Sequence, residues 1–104
     1  MEAVGTQGEI KEKTRSKVKE PKRYNVIMHN DDFTTMEFVV EILVDIFHMD
    51  TVTADRIMMT VHKSGKAVIG SYTYDVATSR VNAALARARR QNFPFRMTIE
   101  EALC

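Results

Sequence analysis

The sequence predicts a two-layer α+β domain: a three-stranded antiparallel sheet packed against three helices, in the order β-α-α-β-α-β. Three observations carry this. Apolar residues recur with helical spacing in three separate stretches. Runs rich in β-branched and aromatic residues lie before, between and after them. The 104 residues suit one small domain, and helices gathered on one face of a small sheet are the simplest way to bury three amphipathic stripes.

Residues 1–22 read as a flexible basic N-terminal arm and residues 23–104 as the folded core domain. Residues 1–23 carry seven Lys/Arg and four Glu, net +3. Such a segment buries too little surface to offset the entropy of ordering, so it is expected to be disordered. Tyr24–His29 is the first strand. A helix then opens with Thr34 as N-cap and Glu37 three residues on, a capping box, and Phe33 and Phe38 are spaced for a hydrophobic staple. Met36, Val39, Val40, Leu43 and Phe47 form its apolar stripe. Glu37, Glu41 and Asp45 form a solvated one.

The second helix starts at Thr53, buries Ala54, Ile57, Met58 and Val61, and ends at Gly65, a residue suited to a left-handed C-cap. Residues 66–74 are the second strand, where Gly70 marks a bulge or a close backbone approach. Asp75 caps the third helix, which buries Val81, Ala84, Leu85 and Ala88. Arg87, Arg89 and Arg90 fall in its last turn, where cations suit the helix dipole, and Asn92 ends it. Residues 93–99 are the third strand, and Pro94 puts its start at a sheet edge.

The net charge of +1 argues against a broadly basic nucleic-acid binder. Residues 24–104 carry eight Lys/Arg and ten Asp/Glu, so a basic arm precedes a slightly acidic body. The single Cys104 permits no disulfide within the chain and no Cys-based zinc site. No apolar run reaches membrane-spanning length, and no signal-peptide core is present. A soluble cytoplasmic protein, with neither membrane nor nucleic acid as partner, is the expectation.

Asn30-Asp31-Asp32 closes the first strand just before a helix. Such a turn could cap the helix, accept a phosphoryl group, hold a metal or hold another cation. A receiver-like phosphorylation site needs a longer, doubly wound chain. Magnesium or calcium needs more oxygen ligands than gather here. His29, His48 and His62 lie in separate elements without zinc-ligand spacing, so no metal and no cofactor is expected. His62 follows Met58 by four on the second helix and shares its face. Alone, the histidine is an ordinary helix residue and the methionines ordinary core filling. No nucleophile stands with a base and an orienting group, so nothing reads as an enzyme.

Taken together, these pieces resemble the ClpS adaptor family over about residues 24–101. "NDDFTTMEFV" is similar to its NDD-[FY]-T-P-MEFV signature. "MMTVHKSGKAVIGSYT" resembles its M-x-x-VH-x-x-GKA-x-x-G stretch, and "FPFRMTIEEA" its closing strand. Thr35 stands where the family usually has Pro, which implies some loss of rigidity. The resemblance implies a non-enzymatic adaptor of the N-end rule. Such a protein binds N-degrons, free N-termini beginning with Leu, Phe, Tyr or Trp, and delivers them to a Clp AAA+ unfoldase of the ClpA or ClpC type. It implies that Asn30, Asp31 and His62 hold the substrate α-amino group. Met36, Val39, Met58, Val61 and Phe95 would then form the side-chain pocket. Asp32 and Thr34 would brace the loop. Asp75 and Arg80 would contact the unfoldase N-domain, and the arm would act in handover. The implied compartment is the bacterial cytoplasm, with the plastid stroma as alternative. The competing reading is a small RNA- or ribosome-associated protein using the basic arm and the Arg-rich helix end, although no aromatic stacking platform accompanies those arginines.

Overall fold

The computed structural model describes residues 22–103. The arm expected over residues 1–22 therefore falls, except for its last residue, outside the described residues, as does Cys104. The elements are β1 (Tyr24–His29), α1 (Met36–Asp45), α2 (Thr51–Ser64), β2 (Lys66–Tyr72), α3 (Tyr74–Arg90) and β3 (Arg96–Glu101). The sheet is antiparallel, in the order β2-β1-β3. The predicted class and element order hold.

β1 is central, and its alternation sorts the two faces of the sheet. Val26 and Met28 point into the core with Met97, Ile69 and the inner residues of all three helices. Ile27 and His29 take the opposite face, opposite Thr98 and Arg96 on β3. Each large apolar side chain buried this way contributes about 1.5–3 kcal/mol. The β1–β2 register shifts between Val26 and Ile27. The extra residue is Ile69, beside Gly70, and a Cβ on Gly70 would stand 2.7 Å from Cζ of Tyr72. The expected bulge is found at that glycine, and what approaches it closely is the Tyr72 side chain, not a second backbone.

Several local expectations are corrected. The N-cap of α1 is Thr35, not Thr34: its Oγ1 accepts from Phe38 N at 3.1 Å. Phe33 is thereby displaced from the staple position and is 75% exposed. The buried face of α1 is Phe38, Val39, Ile42 and Leu43. Phe38 is drawn inward by edge-on packing with Phe93 and Phe95, at 5.0 and 5.6 Å between ring centroids, an arrangement aromatic pairs favour. That rotation leaves Met36, Val40 and Val44 outside the deepest core. α2 begins two residues early, because Asp50 Oδ1 accepts from Thr53 N at 2.7 Å. α3 begins at Tyr74 behind Thr73, so Asp75 lies in its first turn instead of capping it. β3 starts at Arg96 rather than residue 93. Asn92 adopts a left-handed φ of 61° and Phe93 N donates to Ala88 O, so residues 91–93 finish the helix.

Candidate functional site

β1 delivers the chain to the turn of residues 30–34 at one end of the sheet, beside the C-terminus of α2. Gly65 ends α2 with φ 92°, a conformation glycine adopts without strain. Its carbonyl accepts from Asn30 N at 2.8 Å. This bond ties the turn to α2 and sets its distance from His62, which lies in the last turn of that helix.

Asp31 organises the turn. Its Oδ1 accepts from the backbone N of Phe33 and of Thr34, both at 2.8 Å, and its Oδ2 accepts from Thr34 Oγ1 at 2.6 Å. Burial by itself would push this carboxyl up. The Thr34 hydroxyl and the two backbone amides outweigh burial and hold it below the ordinary carboxylate value. An ionised carboxylate has about four acceptor sites, so one remains open on Oδ2. The brace of the turn is thus Asp31 with Thr34, whereas the sequence reading gave it to Asp32 with Thr34. Asp32 is exposed, and its side chain has no hydrogen-bond partner among the described residues.

Nine residues line one cavity of about 250 Å³: Asn30, Asp31, Asp32, Thr34, Met36, Val39, Met58, Val61 and His62. Every one was nominated from the sequence. Val39 and Val61 form a buried base. Met58 is half-buried and Met36 is 43% exposed, at the rim. The cavity is amphipathic: one end offers carboxylate, amide and imidazole acceptors, the other only methyl and thioether groups. An engineered apolar cavity of about 150 Å³ accepts benzene, so the space suffices for one aromatic side chain and the first atoms of a backbone.

Phe95, nominated as pocket wall, is not among the lining residues. It is buried, with its ring on Phe38, and supports α1 from behind. Asp75 and Arg80 are not part of the cavity either. They lie in the first two turns of α3, where the Arg80 guanidinium sits 5.1 Å from the centre of the Tyr72 ring and Tyr74 and Val76 are exposed. Two contributors to the site were missed. The Gly65 carbonyl has no side-chain signal to find. The Thr35 cap was obscured by the adjacent Thr34, which sits at capping-box distance from Glu37.

Among the described residues no three His, Cys, Asp or Glu side chains group to hold a metal ion. His29 lies outside the cavity, its Nε2 2.8 Å from Thr98 Oγ1. Burial, then Arg96 and Lys66, hold it below the ordinary histidine value. Arg87 donates to Asp45 Oδ2 at 2.8 Å, which removes one arginine from the basic cluster at the end of α3.

Comparison with known proteins bears on this geometry. The family model described as "ATP-dependent Clp protease adaptor protein ClpS" matches residues 19–98. The ClpS adapter protein of Desulforapulum autotrophicum is 47% identical, over 88% of this chain and 92% of the relative. That of Acetivibrio thermocellus is 46% identical over the same shares. Agrobacterium tumefaciens ClpS2, solved bound to L-phenylalaninamide, superposes with a TM-score of 0.77 at 36% identity, over 80% of this chain and all of that one. The chain therefore belongs to the ClpS family of ATP-dependent Clp protease adaptor proteins.

Proposed function

We propose that the cavity captures the first residue of a polypeptide with a free N-terminus and a large hydrophobic first side chain, Leu, Phe, Tyr or Trp. The protein then hands that N-degron substrate to a Clp AAA+ unfoldase. As a member of an adaptor family it is not an enzyme. The observation that carries the proposal is the joining, in one cavity, of an acceptor-rich turn to an apolar hole. The ligand of Agrobacterium ClpS2, L-phenylalaninamide, has the two features this cavity complements: a free α-amino group and a benzyl side chain.

An α-amino group, with a pKa near 8, is mostly a cation at neutral pH and offers three donors. In this reading Asn30 Oδ1, the open acceptor site of Asp31 and a ring nitrogen of His62 take them, and the Asp32 carboxylate adds negative charge from the rim. Charge-assisted hydrogen bonds contribute about 1.5–3 kcal/mol each. Val39, Val61, Met58 and Met36 receive the side chain, about 1.5–3 kcal/mol more. After association costs, micromolar binding, about 8 kcal/mol, follows.

The partner is the N-domain of an unfoldase of the ClpA or ClpC type, met by Asp75 and Arg80 with exposed Tyr74 and Val76 beside them. The basic arm assists delivery. The bacterial cytoplasm is the proposed place of work. The bacterial relatives support it, and among the described residues no helix is long and apolar enough to cross a membrane.

Fluorescence anisotropy with peptides that differ only in residue one tests the proposal. Phe-, Leu-, Tyr- and Trp-initiated peptides should bind in the micromolar range. A Ser-initiated peptide should bind more than about tenfold more weakly, from the lost side-chain burial. Equal binding of all five would contradict it.

A further inference from the structure

α1 carries two apolar stripes, and the domain covers only one. Phe38, Ile42 and Leu43 are in the core. Met36, Val40 and Val44 instead form, with Met58 of α2, the floor of a second groove of about 420 Å³ between the two helices. Its rim is acidic, with four carboxylates that include Glu41 and Asp55, and Arg87 neutralises one of them. An apolar floor with an acidic rim fits a basic segment that also carries aliphatic side chains.

The same chain supplies one. Residues 10–19, IKEKTRSKVK, hold five Lys/Arg and one Glu, flanked by Ile10 and with Val18 near the other end. The chain enters the domain near the right end of the groove. Arg23 Nη2 donates to Ser71 O. The next residue, Tyr72, has its ring 6.0 Å from that of Phe47, three residues beyond Val44. The groove runs about 12 Å along α1 from Met36 to Val44, and ten residues cover that length as helix or extended chain. A tether this short gives an effective concentration in the millimolar range. A second copy fits less well, because a two-fold contact would set one acidic rim against the other.

We propose that residues 10–19 dock in the α1–α2 groove of their own chain, their cations over the acidic rim and their aliphatic groups on Met36, Val40 and Val44. This stands whether or not the neighbouring cavity binds N-termini.

The test uses the full chain with Cys104→Ser and a nitroxide label on Ser16→Cys, read by paramagnetic broadening of methyl signals. At low salt, Val40 and Val44 methyls should relax at least about threefold faster than those of Val68, which is exposed on the sheet. Because the contact is ionic, the excess should fall by more than half in 0.5 M salt and in Glu41→Lys/Asp55→Lys. Both substituted residues are exposed, so the fold should survive, as an unchanged spectrum of the core methyls would verify. Broadening at Val40 and Val44 no greater than at Val68 would overturn the proposal. So would broadening that persists when label and isotope are on different molecules, which would assign the groove to a second copy.

Discussion

The acceptor turn at one end of the cavity and the methionines at the other are held in different ways. Asn30 is fixed by the Gly65 carbonyl, Asp31 by three hydrogen bonds, and the following helix start by the Thr35 cap. Met36 and Met58 have no such restraint. They are unbranched, polarisable side chains, partly exposed, that reshape around what they touch. The proposed recognition asks for charge and donors at a fixed place at one end and only for apolar bulk at the other. It would be strict about the amino group and tolerant among side chains, provided the first Cβ leaves room for Met36.

The fixed end is most sensitive at Asp31. Asp31→Asn keeps an oxygen for the Phe33 and Thr34 amides but removes the charge, so a Phe-initiated peptide should lose more than about tenfold in affinity. Asp32→Asn, exposed and screened, should cost only a few-fold. Titration calorimetry of the two variants checks this, and the reverse order would move the clamp to Asp32. The same carboxylate bears on stability. Its folded pKa is depressed, so its contribution is present above the ordinary carboxylate value and is lost as pH falls through the folded value, below about pH 4. In Asp31→Asn that part of the acid-unfolding profile should flatten.

Next comes His62. His62→Ala removes a ring acceptor of the proposed clamp, so a Phe-initiated peptide should bind severalfold more weakly. The residue is exposed, so thermal unfolding should stay unchanged, and an unchanged affinity in titration calorimetry would remove His62 from the clamp.

The apolar end should respond more gently. Met36 lies in the first turn of α1, where side chains lean back toward the N-terminus, over the turn where a first Cβ would come. Ile and Val carry two substituents on Cβ, and the overpacking costs about 1–3 kcal/mol. Met36→Ala should therefore improve binding of Ile- and Val-initiated peptides while Leu- and Phe-peptides lose a little. Equal weakening of all would make Met36 a packing residue.

The smallest effect is expected at Thr35, whose φ of −73° proline can adopt. Thr35→Pro forfeits a cap of about 1 kcal/mol and gains about 0.4–1 kcal/mol from a stiffer unfolded chain. Thermal unfolding should thus move by no more than about 1 kcal/mol either way. The loss of rigidity inferred from Thr35 is therefore largely offset by the hydrogen bond its hydroxyl makes.

What the sequence revealed and what it hid divide along physical lines. The cavity residues were legible because they fall in two contiguous motifs, Asn30–Val39 and Met58–His62, that resemble those of the ClpS family; spacing alone left the Asn30-Asp31-Asp32 turn open and made His62 an ordinary helix residue. The brace was assigned to Asp32 instead of Asp31 because adjacent carboxylates look alike until the turn decides which one meets the amides. Phe95 was misplaced because its position depends on how Phe38 packs, a tertiary contact with no local signal. The α1–α2 groove was hidden for the same reason: rotating the buried stripe by one position turns Val40 from core into groove floor, beside Val44.

Whether the turn recognises a free α-amino group can be read from the anisotropy of one Phe-initiated peptide with its N-terminus free and acetylated. Acetylation removes the charge and all but one donor while leaving the benzyl group intact. The acetylated peptide should bind at least about a hundredfold more weakly, the loss of two or more charge-assisted hydrogen bonds. Equal affinity of the two forms would show that the turn does not recognise the amino group.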